Sequence, residues 1–196
     1  MVRGRRFLHP RLGVAFEAPD GYALENTPRA VLGSTADGRR RLLFDAVEVQ
    51  DGQSLQDVIV SSWSDAIEAG SLEMRRIGES EVATASSHGR DWTFRLAAIR
   101  VGAATYRMIL ASRGDDAPLL RDFEAAIASL RALGAEETAG LHPLRIEIVT
   151  AAAQDSVASL AERMASDKPL EQFMIMNGLE PGAKPNPGES YKLVVD

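Results

Sequence analysis

Three histidines, His9, His88 and His142, are the only imidazoles in the chain, and there is no cysteine. Without Cys there is no disulfide, no thiolate zinc site, no iron–sulfur ligation and no thiol nucleophile. The three His stand far apart, and no pair has the close spacing usual for zinc ligands. The HExxH pattern, two His four apart on a helix with a Glu base beside them, does not occur. His9-Pro10 and His142-Pro143 read instead as turn or boundary residues, and His88-Gly89 as a hairpin tip. Ser87, His88 and Asp91 are the residue types of a triad. A triad, however, needs a base that reaches the nucleophile and is itself oriented, and neighbours on one turn point apart. There is no Gly-x-Ser-x-Gly elbow and no Gly-rich phosphate loop. Glu79 and Glu81 would share a strand face, but a carboxylate pair has unusual acidity only when buried. Solvation is their expected state. Trp63, Trp92, Phe173 and Tyr191 each fall on an apolar face and read as core.

The formal net charge is −6, from 22 Lys and Arg against 28 Asp and Glu. That excludes a general nucleic-acid binder, which would be basic. Two Arg clusters stand out, Arg3-Gly4-Arg5-Arg6 and Arg39-Arg40-Arg41. The second follows the turn pair Asp37-Gly38 and reads as a solvated strand start. An anionic phosphate or lipid head-group site is its alternative. No apolar run approaches the roughly twenty residues of a bilayer span. His9-Pro10 interrupts the apolar start at Phe7-Leu8, so no signal-peptide core is expected.

These residues need elements to hold them. Ala30–Gly33 and Leu42–Phe44 flank Ala36-Asp37-Gly38, which predicts a β-hairpin. Ser54-Leu55-Gln56-Asp57 is close to a capping box. Leu55, Val58, Ile59, Trp63, Ala66 and Ile67 then recur on one helical face, ending near Ala69-Gly70. Strands follow at Leu72–Ile77, Glu81–Ala85, around Trp92–Ala98, and around Tyr106–Leu110. Leu120, Phe123, Ile127 and Leu130 mark a second helix. Grouped strands separated by helices predict α+β, an antiparallel sheet covered by helices on one face.

The periodicity fades across 131–143. A domain over 1–135, a linker over 136–143 and a second domain over 144–196 are expected. In the second, Leu144, Ile146 and Ile148 alternate with Arg145 and Glu147 as a strand does. Asp155-Ser156 caps a helix carrying Val157, Leu160, Ala161 and Met164. Asp167-Lys168-Pro169 breaks it. Leu170, Phe173 and Met174 begin a further helix that stops at Asn177-Gly178. A Pro/Gly loop over Pro181–Gly188 leads to a closing strand at Tyr191–Val195, giving βααβ.

Several stretches of this second segment resemble a LysM domain: Val149-Thr150, Gln154-Asp155-Ser156-Val157, Leu170-Glu171-Gln172-Phe173, Asn177-Gly178-Leu179 and Pro187-Gly188-Glu189. The resemblance covers about 145–196. It implies a βααβ fold that binds N-acetylglucosamine-containing glycans beside the loops around its helices. By the same resemblance, Asp155, Ser156, Gly178 and Leu179 would line that groove. Gln154 stands where the pattern has Gly.

The front domain is similar in element order to a PsbP/Mog1-like sandwich. Three further stretches are Phe7-Leu8-His9-Pro10-x-Leu12-Gly13 through Pro19-x-Gly21-Tyr22, Ala128-Ser129-Leu130-Arg131, and His142-Pro143-Leu144-Arg145-Ile146. With the LysM-like part they resemble the C-terminal region of bacterial BepA/HtpX-like zinc metalloproteases. This resemblance implies a non-catalytic accessory region in the cell envelope or periplasm, one piece of a longer protein. Zinc would belong to the parent protease, and no cofactor is expected here. Peptidoglycan or envelope proteins would be the partners. A free-standing peptidoglycan-binding module and a protein-protein interaction module are the alternatives.

Overall fold

The computed structural model describes residues 1–63, 67–114, 116–142, 144–166 and 168–195. Ala66, Pro143 and Asp167, to which the sequence assigns roles, lie outside these. The chain forms two compact units, Met1–Thr138 and Ala139–Asp196. The fold is α+β.

The first unit contains strands β1 (Val2–Arg3), β2 (Arg6–His9), β3 (Val14–Glu17), β4 (Tyr22–Asn26), β5 (Val31–Thr35) and β6 (Arg40–Val47). Helix α1 (Leu55–Trp63), strands β7 (Glu73–Ile77), β8 (Ser80–His88), β9 (Thr93–Val101) and β10 (Ala104–Ser112), helix α2 (Asp116–Ser129) and strand β11 (Arg131–Ala132) follow. Among the described residues these make a sheet ordered β1-β2-β3-β11 and a larger one ordered β4-β5-β6-β10-β9-β8-β7. Neighbouring strands pair antiparallel.

The predicted β5–β6 hairpin forms as its turn chemistry requires. Gly38 adopts φ 67°, a conformation only Gly takes without steric cost. The Asp37 carboxylate accepts the Thr35 hydroxyl at 2.6 Å and the Arg39 amide at 3.0 Å. α1 starts in a reciprocal cap: Ser54 Oγ accepts the Asp57 amide, and Asp57 accepts the Ser54 amide. The helix does not reach Ala69-Gly70. By Ile67 the chain bridges to Ser87, and the Glu68 amide donates to the Ser86 carbonyl.

The expectation of helices on one face of the sheet is corrected. On one face, Val82, Ala97, Ile99, Tyr106, Met108 and Leu110 pack with Leu119, Phe123 and Ile127 of α2. Phe7, Val14 and Phe16 of the small sheet join this core, and Phe16 and Phe44 stand 4.8 Å apart, centroid to centroid. On the opposite face, Ala83, Ala85, Leu96 and Ala98 meet Leu55, Val58 and Ile59 of α1. β8 and β9 are therefore buried on both sides. Their small residues permit that close approach.

Arg40 is the inward member of Arg39-Arg40-Arg41. Its guanidinium pairs with Asp122 of α2, whose side chain is 9% exposed, and lies over the Tyr22 ring at 5.7 Å. Burial pushes the Tyr22 phenol far above its ordinary value, and the Asp122 carboxylate pushes it the same way.

Part of the stretch read as a linker is helix α3 (Ala135–Ala139). Arg131 donates to both carboxylate oxygens of Glu137, at 2.7 and 2.6 Å. These hydrogen bonds hold the Glu137 carboxyl at about 2, against an ordinary 4.5. A depressed folded value stabilises above the unfolded one and loses that contribution as pH falls through the folded one. α3 should therefore keep its Arg131 anchor at pH 3 and lose it below about pH 2. Titration of the Glu137 carboxyl followed by NMR checks this, and a midpoint near 4.5 would contradict it.

The second unit is β12 (Arg145–Thr150), α4 (Val157–Ala161), α5 (Pro169–Asn177) and β13 (Ser190–Val195), with β12 and β13 antiparallel. Its core is Val149, Leu160, Phe173, Tyr191 and Leu193. The alternation over Leu144–Ile148 does mark a strand, but its apolar side faces out: Ile146 is 63% and Ile148 68% exposed. Val149 stands opposite Tyr191 and Glu147 opposite Leu193. That register puts the larger apolar set on the helix side, and Ile146 and Ile148 on the other.

Candidate functional site

Ser156 sits at the start of α4 with extended backbone. Its Oγ accepts the Ser159 amide at 3.0 Å, and Ser159 Oγ accepts the Ser156 amide at 2.9 Å. This is a capping box built from two serines. The Asp155 carboxylate turns back to accept the Ala152 amide at 2.8 Å. Both predicted residues thus shape the β12–α4 loop. Gln154 is exposed, and no described residue other than Gly has a positive φ. The backbone accommodates Gln where the LysM pattern has Gly.

Gly178 ends α5 in the left-handed region at φ 63°, and the Leu179 amide donates back to the Met174 carbonyl at 2.9 Å. Leu179 packs its side chain on the core. The sequence reads Asn177 as a helix end and as part of the LysM-like Asn177-Gly178-Leu179 stretch. Its amide also mimics a strand neighbour: Nδ2 donates to the carbonyls of Phe173 and Lys192, and Oδ1 accepts the Lys192 amide at 2.7 Å. An Asn immediately before a left-handed Gly is the signal for such a role.

The four predicted residues do not form one hydrogen-bonded set. The Ala151 amide donates to the Glu189 carbonyl at 2.9 Å, and the Gly188 amide to the Ala151 carbonyl at 2.8 Å. The loop bearing Asp155 and Ser156 is therefore stitched to Pro187-Gly188-Glu189. Among the described residues no hydrogen bond links it to Gly178 or Leu179. The far loop is itself ordered: Tyr191 Oη accepts the Asn186 amide at 2.9 Å and donates to Glu189 at 3.1 Å, and Asn186 Nδ2 also reaches Glu189. Sequence reasoning missed this Asn186–Glu189–Tyr191 network. Together the two loops present Gln154, Ser156 and Asn186 to solvent. Neutral amides and hydroxyls of this kind suit hydrogen bonding to hydroxyl and acetamido groups.

The other candidates are occupied elsewhere. His9 Nδ1 accepts the Leu12 amide at 3.1 Å, and burial lowers the pKa of its imidazole. His88 Nδ1 lies 3.6 Å from Glu68. The buried Ser87 hydroxyl accepts the Trp63 indole N–H at 3.0 Å, so it is not paired with His88. Glu79 lies in the turn before β8, and Glu81 faces Arg76, so they do not share a strand face. Trp63 and Trp92 are half-buried. The Trp63 ring meets Phe94 at a tilt of 57°, centroids 5.2 Å apart, and Trp92 lies under the guanidiniums of Arg41 and Arg113. Trp63 packs against the core beneath α1 without being fully buried, Trp92 is outside the core, and Phe173 and Tyr191 are buried in the core of the second unit. Among the described residues no three His, Asp or Glu stand close enough to hold a metal ion. No described helix is long and apolar enough to cross a membrane.

No protein-family model and no curated protein matches the chain. Two solved structures are similar to it. A crystal structure from Bacteroides thetaiotaomicron VPI-5482 has 17% identity and a TM-score of 0.48, over 94% of this chain and 65% of that one. LpqN, involved in cell envelope biogenesis of Mycobacterium tuberculosis, has 10% identity and a TM-score of 0.44, over 62% of this chain and 83% of that one. The chain thus spans about two thirds of the length of the first.

Proposed function

We propose that this chain is a non-catalytic accessory region of a cell-envelope zinc metalloprotease, which positions the protease near its substrates through contacts. The zinc belongs to the parent enzyme. The described residues here offer no ligand set that fits it, and no step of this reading passes through the metal. The observation that carries the reading is the βααβ unit with its stitched loops. They bear Gln154, Ser156 and Asn186 as exposed neutral hydrogen-bonding groups, the kind that select sugars bearing hydroxyl and acetamido groups. Peptidoglycan is then the glycan the region holds, in the envelope or periplasm.

Co-sedimentation of the full chain with insoluble peptidoglycan tests this. Retention is expected, with competition by soluble N-acetylglucosamine oligomers. Asp155→Ala loosens the β12–α4 loop and should weaken retention several-fold, while circular dichroism stays unchanged. Absence of retention removes the glycan partner from the proposal. Peptidase activity in the purified chain, abolished by a chelator, removes the non-catalytic role.

A second reading, docking to an envelope protein, is favoured by one observation. Leu144, Ile146 and Ile148 form an exposed apolar row on the second unit, 45%, 63% and 68% accessible.

A further inference from the structure

The outer face of the seven-stranded sheet is unevenly covered. α1 lies over β8 and β9 and ends at Trp63. Beyond Trp63, the outward side chains of β4, β5, β6 and β10 line a cavity of about 700 Å³. The strand register describes its floor. Leu32 stands opposite Leu43, and Leu43 opposite Ile109, giving an apolar row. Two residues along, Ser34, Arg41, Ala111 and Phe94 form the next row. At one end the floor is closed by Arg107, which donates to both carboxylate oxygens of Asp45 at 3.1 and 2.7 Å. At the other end Arg41 lines the cavity, and its guanidinium shares the Trp92 ring with that of Arg113, 5.2 and 4.9 Å from the centroid. Neither forms an ion pair among the described residues. Arg39 donates to the Arg113 carbonyl and adds a third positive charge. Glu25 lines the cavity as well, but on β4 opposite Leu32, at the far side from these cations.

We propose that this groove binds a single-chain anionic amphiphile, its acidic head on Arg41 and Arg113 and its tail along Leu43 and Ile109. A guanidinium presents several N–H donors in a fixed fork that matches carboxylate or phosphate oxygens. The Trp92 face holds both forks in place without neutralising them. From Asp45 to Arg41 is four strand residues, about 13 Å at the usual rise per residue. This is a bounded apolar track, and its volume falls in the range of small-molecule sites. A peptide fits less well. β5, β6 and β10 are each hydrogen-bonded on both sides, so the floor offers side chains and no free backbone to an added strand. This proposal concerns the first unit only and does not rest on the glycan reading of the second.

Trp63 lines the groove and Trp92 lies against Arg41, one of the lining residues, so intrinsic fluorescence reports it. Decanoate, decanol and decyltrimethylammonium are titrated into the full chain, each below its micelle concentration, with calorimetry in parallel. Decanoate should bind saturably, at least about tenfold tighter than the other two, the effect of one charge-assisted contact. The double variant Arg41→Ala, Arg113→Ala should lose that preference while its decanol affinity stays unchanged. Arg41→Lys, which keeps the charge, should retain part of it. Circular dichroism verifies that the variants fold. Equal binding of the three probes, no saturable binding of decanoate, or an unchanged double variant would each overturn the proposal. So would response only to anionic vesicles or only to an acidic peptide.

Discussion

Truncating Phe173 to Ala is expected to unfold most of the second unit at ambient temperature. The ring is completely buried among Leu160, Tyr191 and Leu193, with the Tyr191 ring centroid 5.9 Å away. Loss of a buried Phe costs about 3–5 kcal/mol, through lost transfer energy and the cavity left behind. A core of this size rarely supplies more than about 3–5 kcal/mol in total. The two quantities are equal, so one substitution removes the margin. Amide hydrogen exchange across β12 and β13 measures it: protection present in the parent chain should collapse in Phe173→Ala. Ile175 lies on the same helix but is 73% exposed, and Ile175→Ala should change stability by under about 0.5 kcal/mol. Equal effects of the two variants would show that α5 does not build this core. The peptidoglycan retention proposed above should also be absent from Phe173→Ala, because both loops hang on this scaffold.

Local signals in the sequence carried most of the element order, since they depend on residues a few positions apart. Asp37-Gly38 set a turn, Ser54 and Asp57 started a helix, and Asn177-Gly178 ended one. Each relies on hydrogen bonds or backbone angles within a turn's length. What stayed hidden is what long-range pairing decides. The opposed faces of α1 and α2 follow from β8 and β9 being interior strands covered on both faces. Alanines on both faces, Ala83 and Ala85 on one and Ala97 on the other, were the available sign. The alternation of Ile146 and Ile148 marks a strand without saying which face is buried, and that choice belonged to Tyr191 and Leu193 some 45 residues later. The candidate site divides the same way. Asp155, Ser156 and Gly178 were legible as capping and turn residues, and the structure uses them so. The stitch from Ala151 to Gly188 and Glu189 joins residues at opposite ends of the two helices, and no spacing rule marks it.

Arg40 illustrates the same limit and carries the second large effect. In Arg39-Arg40-Arg41 the three cations are alike in sequence, but a strand's period of two sends the middle one inward. Its partner, Asp122, is 82 residues away. Asp122→Ala should cost about 2–4 kcal/mol, because it strands Arg40 against the Tyr22 ring. The upper end is the penalty for a fully buried unpaired charge, and Arg40, 29% exposed, keeps some water. Denaturant unfolding monitored by Trp63 and Trp92 reports it as a lowered midpoint with an unchanged slope. The pair need not itself be strongly stabilising. Replacing both partners by Leu removes the stranded charge together with the ion pair, so Arg40→Leu with Asp122→Leu should recover most of the loss. A double variant as unstable as Asp122→Ala alone would mean that the ion pair, rather than relief of an unpaired charge, holds β6 against α2.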